Sequence, residues 1–497
     1  MENQTAFYTE DLLGEEVFAE CGGEFLLPDY LPEVRRILAV HARAVDEGHF
    51  LGESAELAGK VVFRVLYTDD AGELCATALD TPYEATLPLS DSTAGVFSVS
   101  ERAEGATVRL LAPRRLTLRT RVRILPHLWI TRGVETPSGE SLVTLTRTVT
   151  DGVTVNGTAG ELSMEATLPL SDPERRVLSA DAAASVRECR YERDGVRMRG
   201  DVIFSLLLSG EELPALEEVR ASFDEWIPMP DGEGCTLRAI AKLGEVSTTP
   251  CEDGVQISCP LSLSVEGRRA VSFPVVYDAF STDAPTRTEC REFVFSAPIE
   301  PQVRRVEIEG SIPVEEDGTL IYTHSRQSSV ACAVKDGEVT VDGMLETTAI
   351  IALSPSEGGV LRYTAHTENL PFRHRYELKD AASISLTPSV GGVRIAGRCD
   401  GGRLLLSGDL ELTVDGVRGE RLSLPIALHP AERSETLAAD TVTVYYVKPN
   451  DTLFSVARDF CLPPSALAAA NKLADEVLAE PDSPQSLDGV AYLILNF

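Results

Sequence analysis

GKVVFRVLYTDDAGELCATALDTPYEATLPL, residues 59–89, carries the pattern on which the fold turns. In its first part Val61, Phe63, Val65 and Tyr67 fall on one face, with Val62, Arg64 and Leu66 on the other. That period-two alternation marks a β-strand. An acidic, glycine-containing turn follows, and a second strand returns to a proline or aromatic site. The same plan recurs in GDVIFSLLLSGEELPALEEVRASFDEWIPM from Gly200 and in GMLETTAIIALSPSEGGVLRYTAHTENLPFRHRYEL from Gly343. The opening glycines stand at 59, 200 and 343, intervals of 141 and 143 residues. A near-constant period over three copies is the signature of a repeated structural unit.

Between these segments the turn signals are dense. Asp-Gly pairs at 151–152, 194–195, 253–254, 336–337 and 415–416 suit tight hairpins, because glycine tolerates positive φ. RLLLSGDLELTVDGVRGERLSLPIAL, residues 403–428, reads as a meander of three strands. The expectation is a mainly β chain with three tandem antiparallel, sandwich-like repeats, over 28–170, 171–312 and 313–430. An acidic N-terminal arm (1–27) precedes them, Pro28 and Pro32 make the next stretch extended, and Ile37, Ala39 and His41 begin a strand. Residues 431–440 read as a linker. Trp129 and Trp226 are expected as core anchors.

Composition narrows the function. The 497 residues carry a formal charge of −33, which opposes binding to nucleic acid or an anionic membrane surface. The hydrophobic fraction of 43% suits folded, core-forming domains. MENQTAFYTEDLLGEE lacks the basic and apolar regions of a signal peptide, and no apolar run reaches spanning length. The ten cysteines form no CxxC pair. The expectation is a cytoplasmic chain with free thiols, a Cys251–Cys259 bridge across a hairpin being the alternative.

After residue 440 the period changes. VTVYYV, residues 442–447, is a strand. Leu453, Val456, Ala457 and Phe460 then take the i, i+3, i+4, i+7 spacing of a helical face, with Asp451 or Thr452 as its cap. LPPSALAAANKL supplies a second helix with Pro464 in its first turn, where no N–H is needed. AYLILNF, residues 491–497, closes a βααβ module as a strand.

This segment resembles a LysM domain. Tyr445-Tyr446-Val447, then Pro449-Asn450-Asp451-Thr452-Leu453, Phe454 and Ser455-Val456-Ala457 follow the family's order, as do Leu467 and Asn471. Asn450 stands where the family has a turn glycine, a place Asn imitates in the left-handed region. The family's closing Pro-Gly run is degraded to residues 487–494. The resemblance implies a groove for chitin or peptidoglycan glycans, one wall from Pro449, Asn450, Asp451, Thr452, Leu453 and Phe454, the other beginning at Asn471-Lys472-Leu473. Leu453, Val456, Phe460 and Leu467 read as core, which leaves Lys448, Asn450, Phe454 and Lys472 facing the surface.

The repeats, through LPDYLPEVRRIL (residues 27–38) and GKVVFRVLY, resemble SPOCS domains of spore-forming Firmicutes. Three such repeats ending in one LysM module resemble clostridial spore-coat morphogenetic proteins. In that family the module is implicated in holding a coat-basement ATPase rather than a glycan, which implies a mother-cell location at the forespore surface. No P-loop, HExxH, GxSxG or dinucleotide fingerprint is present, and none of the seven histidines sits at metal-pair spacing with cysteine. The expectation is a non-enzymatic adaptor without cofactor or metal. A glycan-binding wall protein is the rival, and a hydrolase within the β repeats the third reading.

Overall fold

The computed structural model describes residues 2–495 apart from 14, 52–53, 89–94, 171, 173–174, 211–212, 354–360, 379–382, 433–441 and 474–484. The first stretch holds β1 (Glu2–Leu13), β2 (Val17–Leu26), β3 (Arg36–Leu51), β4 (Ser54–Thr68), β5 (Leu74–Pro88), β6 (Gly95–Ala103), β7 (Thr107–Ala112) and β8 (Arg115–Ser138). The second holds β9 (Leu142–Pro169), β10 (Val177–Tyr191), β11 (Gly195–Leu208), β12 (Ala215–Pro228), β13 (Thr236–Leu243), β14 (Ser247–Cys251) and β15 (Gly254–Ser281). The third holds β16 (Thr286–Pro313), β17 (Gly318–Lys335), β18 (Glu338–Leu353), β19 (Arg362–Glu377), β20 (Ile384–Cys399) and β21 (Arg403–Pro430). The closing module is β22 (Val444–Tyr446), α1 (Leu453–Phe460), α2 (Pro464–Ala470) and β23 (Tyr492–Ile494).

The three stretches repeat one topology. Sheets β3-β4-β5, β10-β11-β12 and β17-β18-β19 are antiparallel, with the glycine-opened strand in the middle of each. A second sheet is built on β8, β15 or β21 and packs against the first. Alternation fills the layer between them. Val61, Phe63, Val65 and Tyr67 are buried against Leu116, Leu118, Val122 and Ile124. Val255, Ile257, Cys259, Leu261, Leu263 and Val265 do the same along β15.

The repeat glycines have a shared partner. Gly59 lies opposite Tyr83, Gly200 opposite Phe223 and Gly343 opposite Phe372. Each ring covers its glycine so closely that a Cβ would overlap it. The glycine thus makes room for a buried aromatic in the same layer of every unit. Gly343→Val should cost about 1–3 kcal/mol through overpacking against Phe372. Gly160→Ala, into open space, should shift the urea midpoint far less; equal shifts would remove the aromatic-cover explanation.

Several turn expectations resolve differently. Asp194-Gly195, Asp253-Gly254 and Asp336-Gly337 do sit at hairpin turns, with Asp194 and Asp336 at φ 61° and 52°. Asp151-Gly152 and Asp415-Gly416 instead lie inside the 28-residue strands β9 and β21. Residues 403–428 are one strand rather than a meander. Their glycines serve close approach: Gly408 sits against the Arg394 carbonyl, and Ile299 and Leu386 cover Gly416. The N-terminal arm is likewise structured, because β1 and β2 both pair with β8. Residues 142–169, read as the end of the first repeat, bury Met164 and Leu168 in the second core. Trp129 is buried as expected; Trp226 is exposed and covers Gly195.

Beyond each sandwich the long strands run on as two-stranded ribbons: β1 with β8, β9 with β15, β16 with β21. The ribbons pack together through Tyr8, Val134, Val149, Val275, Phe293, Phe295 and Leu424. Tyr8 meets Phe293 and Phe295 edge-on at 5.6 and 5.8 Å. We call this the hub. Its centre holds Asp151, whose Oδ2 accepts from Thr9 N at 2.6 Å and whose Oδ1 accepts from Ser296 N at 2.8 Å.

The units also meet at a second junction, where Leu38 and Leu66 of the first, Leu207 of the second and Tyr322 and Ile350 of the third share a core. Lys60–Glu245 (2.7 Å) and Lys242–Asp46 (2.6 Å) bridge the first two units. His41 and His324 lie ring to ring, 3.9 Å between centroids, across the first and third. Burial, then neighbouring positive groups, holds His41 well below its ordinary pKa; His324 is lowered chiefly by burial. A lowered imidazole pKa means the unfolded chain takes up the proton first. Its stabilising share is full above the unfolded value of about 6.5 and is lost as pH falls below it. His41→Gln should therefore flatten the fall of the urea midpoint between pH 7 and 5; an unchanged slope would refute this.

Candidate functional site

The terminal module is a two-stranded sheet, β22 against β23, covered by α1 and α2. Leu453, Val456, Ala457, Leu467, Ala468, Leu487 and Leu493 form its interior, and Phe460 is half-buried against Tyr445 at 5.6 Å. α1 starts at a reciprocal cap. Thr452 Oγ1 accepts from Ser455 N at 3.0 Å, while Thr452 N donates to Ser455 Oγ at 2.9 Å. Cys461, with φ 55°, ends the helix in the left-handed region. Pro464 begins α2, as its missing N–H favours.

The candidate wall residues divide sharply. Asn450 adopts φ 72°, the conformation expected of a residue replacing glycine. It is exposed, together with Lys448 and Pro449. Asp451 is occupied within the turn: its carboxylate accepts from Tyr445 Oη at 2.7 Å and Lys448 N at 2.8 Å. Thr452 is spent on the cap. Asn471 is fully used at the end of α2, where Nδ2 donates to Leu467 and Ile494 carbonyls, each at 2.9 Å, and Oδ1 accepts from Ile494 N at 2.6 Å. Lys472 beside it is exposed, at φ 50°. Residues 474–484, which follow Leu473, lie outside the described residues.

Phe454 corrects the surface reading. It is 4% exposed, and its ring packs edge-on against Phe280 at the end of β15, 5.0 Å between centroids. Leu145 on β9 completes the seat, and Arg458 on α1 pairs with Asp278 at 3.0 Å. The module is thus docked onto the ribbon of the second unit. An aromatic at the start of an amphipathic helix looked free only because its cover lies 174 positions upstream.

Sequence reasoning missed one feature of this surface. Tyr446 and Tyr492 face each other across β22 and β23 on the side away from the helices, 74% and 55% exposed. Val444, two positions before Tyr446, is exposed on the same face. The alternation in VTVYYV contained that signal. Together with Lys448, Asn450 and Lys472, the tyrosines offer cationic, amide and aromatic contacts to a macromolecule laid across the module.

Residues 445–481 match the LysM domain family. No curated protein and no solved structure matches the chain. A LysM domain carried on a β-sheet body marks a glycan-binding or protein-binding adaptor role. Among the described residues no helix is long and apolar enough to cross a membrane.

Proposed function

We propose that the chain is a non-enzymatic assembly adaptor. The three β units form a frame, and the LysM module is the head that docks another macromolecule. One observation carries this reading: Phe454 and Arg458 fix the module to the frame while Lys448, Pro449, Asn450 and Lys472 stay open to solvent. A head held at a fixed angle loses little orientational freedom on binding, which favours affinity.

The partner of first choice is a protein, and the layout of three SPOCS-like repeats plus one LysM module makes a coat-basement ATPase the candidate. The chain would then sit in the mother cell at the forespore surface. The second reading, favoured by the LysM match itself, is a wall glycan bound along the turn at 448–450.

Full-length chain carrying Lys448→Glu and Lys472→Glu separates them. Loss of two rim cations should weaken capture of the purified ATPase about tenfold, roughly 0.7 kcal/mol per charge. Wild-type chain that sediments with peptidoglycan and ignores the ATPase would establish the glycan reading instead. Location of the tagged chain in sporulating cells tests the setting.

A further inference from the structure

A cavity of about 300 Å³ opens where the three units meet, and it carries groups that no contact in the fold satisfies. The first unit supplies His41 on β3, Arg64 on β4 and Arg102 on β6; the third supplies His324 and Arg326 on β17; the second closes it with Asp181 and Glu245. A neighbouring cavity of about 530 Å³ shares His41, His324 and Arg326.

Most of the carboxylates here are already engaged. Asp181 pairs with Arg64, Glu245 with Lys60, and Glu346, lining the neighbouring cavity, accepts from Arg326 Nε at 2.8 Å and Nη2 at 2.7 Å. Glu101, in the same lining, keeps Oε1 buried and unpaired, and burial, then Asp46, pushes its pKa up. Arg102 has no carboxylate within ion-pair distance among the described residues, and burial and Arg326 pull its pKa down. His41 Nε2 is shut off from solvent without a hydrogen-bond partner. Of the four arginines lining the cavity, Arg64 and Arg326 are paired with carboxylates and Arg43 donates to the Leu243 and Gly244 carbonyls, which leaves Arg102. A guanidinium without a carboxylate partner, beside an orphaned buried imidazole nitrogen, is the complement of an acceptor-rich, negatively charged ligand.

We propose that this cavity binds a small multivalent oxyanion, a phosphate or a polycarboxylate, with Arg102 and His41 as its principal donors. The anion accepts from Arg102 and from His41 Nε2–H, both of the first unit, in a cavity that the third unit lines with His324 and Arg326. Its site lies at the junction of the units, apart from the LysM module.

The experiment titrates full-length chain with inorganic phosphate and, separately, with citrate, against sodium chloride of equal ionic strength. Calorimetry and thermal unfolding read the response. Saturable one-to-one heat and a rising Tm with either anion support the site, and the tighter probe names the ligand class. Arg102→Gln and His41→Gln should each weaken binding at least tenfold with an unchanged circular dichroism spectrum. If either variant fails to fold, phosphorus NMR of phosphate with wild-type chain decides: broadening relieved by citrate supports the site. No saturable response to either anion, or equal affinity in both folded variants, overturns it.

Discussion

Phe280→Ala is expected to loosen the LysM module from the frame, at a cost of about 3–5 kcal/mol, the range for truncating a buried phenylalanine. Phe280 is 1% exposed and belongs to the frame, yet it packs among the module's residues, edge-on to Phe454. The nearby Arg458–Asp278 pair is half-exposed on both sides, so solvent screens it. Arg458→Ala should cost under about 1 kcal/mol. The apolar seat, not the ion pair, then holds the head. Combining Phe280→Ala with Phe454→Ala should reveal a coupling of about 1–3 kcal/mol, since contacting residues share the energy lost. Amide exchange of Val456 and Ala457 should speed up in Phe280→Ala while that of β11 stays slow. If Arg458→Ala costs as much as Phe280→Ala, or the two phenylalanines prove additive, the docked head is refuted.

That seat bears on the proposed function. A module on a loose tether searches a wide volume, whereas a seated one presents one face. Lys448 to Asn450 and the Tyr446–Tyr492 face are what the seat leaves free. A partner that engaged Phe454 would have to displace Phe280 first, so adaptor binding and head release become competing events.

The units were legible because their cause is local. Gly59, Gly200 and Gly343 each make room for an aromatic 23 to 29 residues later, within one hairpin of sequence. Alternation along Val61 to Tyr67 names the buried face directly. The LysM module was legible for the same reason: its cap, turn and helical stripe all lie within 30 residues. The hub was not. Asp151-Gly152 has the chemistry of a hairpin turn, and only the partners of its carboxylate, 142 and 145 positions away, reveal it as a cross-brace inside a strand. Gly152 is required there because Ser296 and Pro298 press against it, a crowding no local pattern records. Phe454 failed in the same way, as did the N-terminal arm, whose partner strand begins 100 residues on. Across the chain, what short-range sterics dictate could be read, and what distant strands impose could not.

Asp151→Ala is expected to have the largest effect on the frame itself. Asp151 is 2% exposed and accepts from β1 at Thr9 and from β16 at Ser296, so one side chain joins all three ribbons. Its removal leaves two N–H groups, one buried and one half-buried, without acceptors, each worth about 1–3 kcal/mol, for a sum near 4 kcal/mol. Asp151→Asn keeps one acceptor oxygen and should lose about half as much. The charge itself is costly in this place. Burial raises the Asp151 pKa above its ordinary value, and the hydrogen bonds from Thr9, Ser296 and Gly152 only partly offset that. A raised carboxyl pKa means the folded chain holds the proton more tightly than the unfolded one. Its stabilising share is then present below the ordinary carboxylate range and is lost as pH rises through the shifted value. Asp151→Asn, which has no proton to lose, should show no such fall. Amide exchange gives the site-specific reading: Thr9 and Ser296 should exchange about a hundredfold faster in Asp151→Ala, the rate change that roughly 3 kcal/mol of local stability implies. A variant that unfolds earlier with both amides still protected would place the loss elsewhere, and the cross-brace role of Asp151 would be wrong.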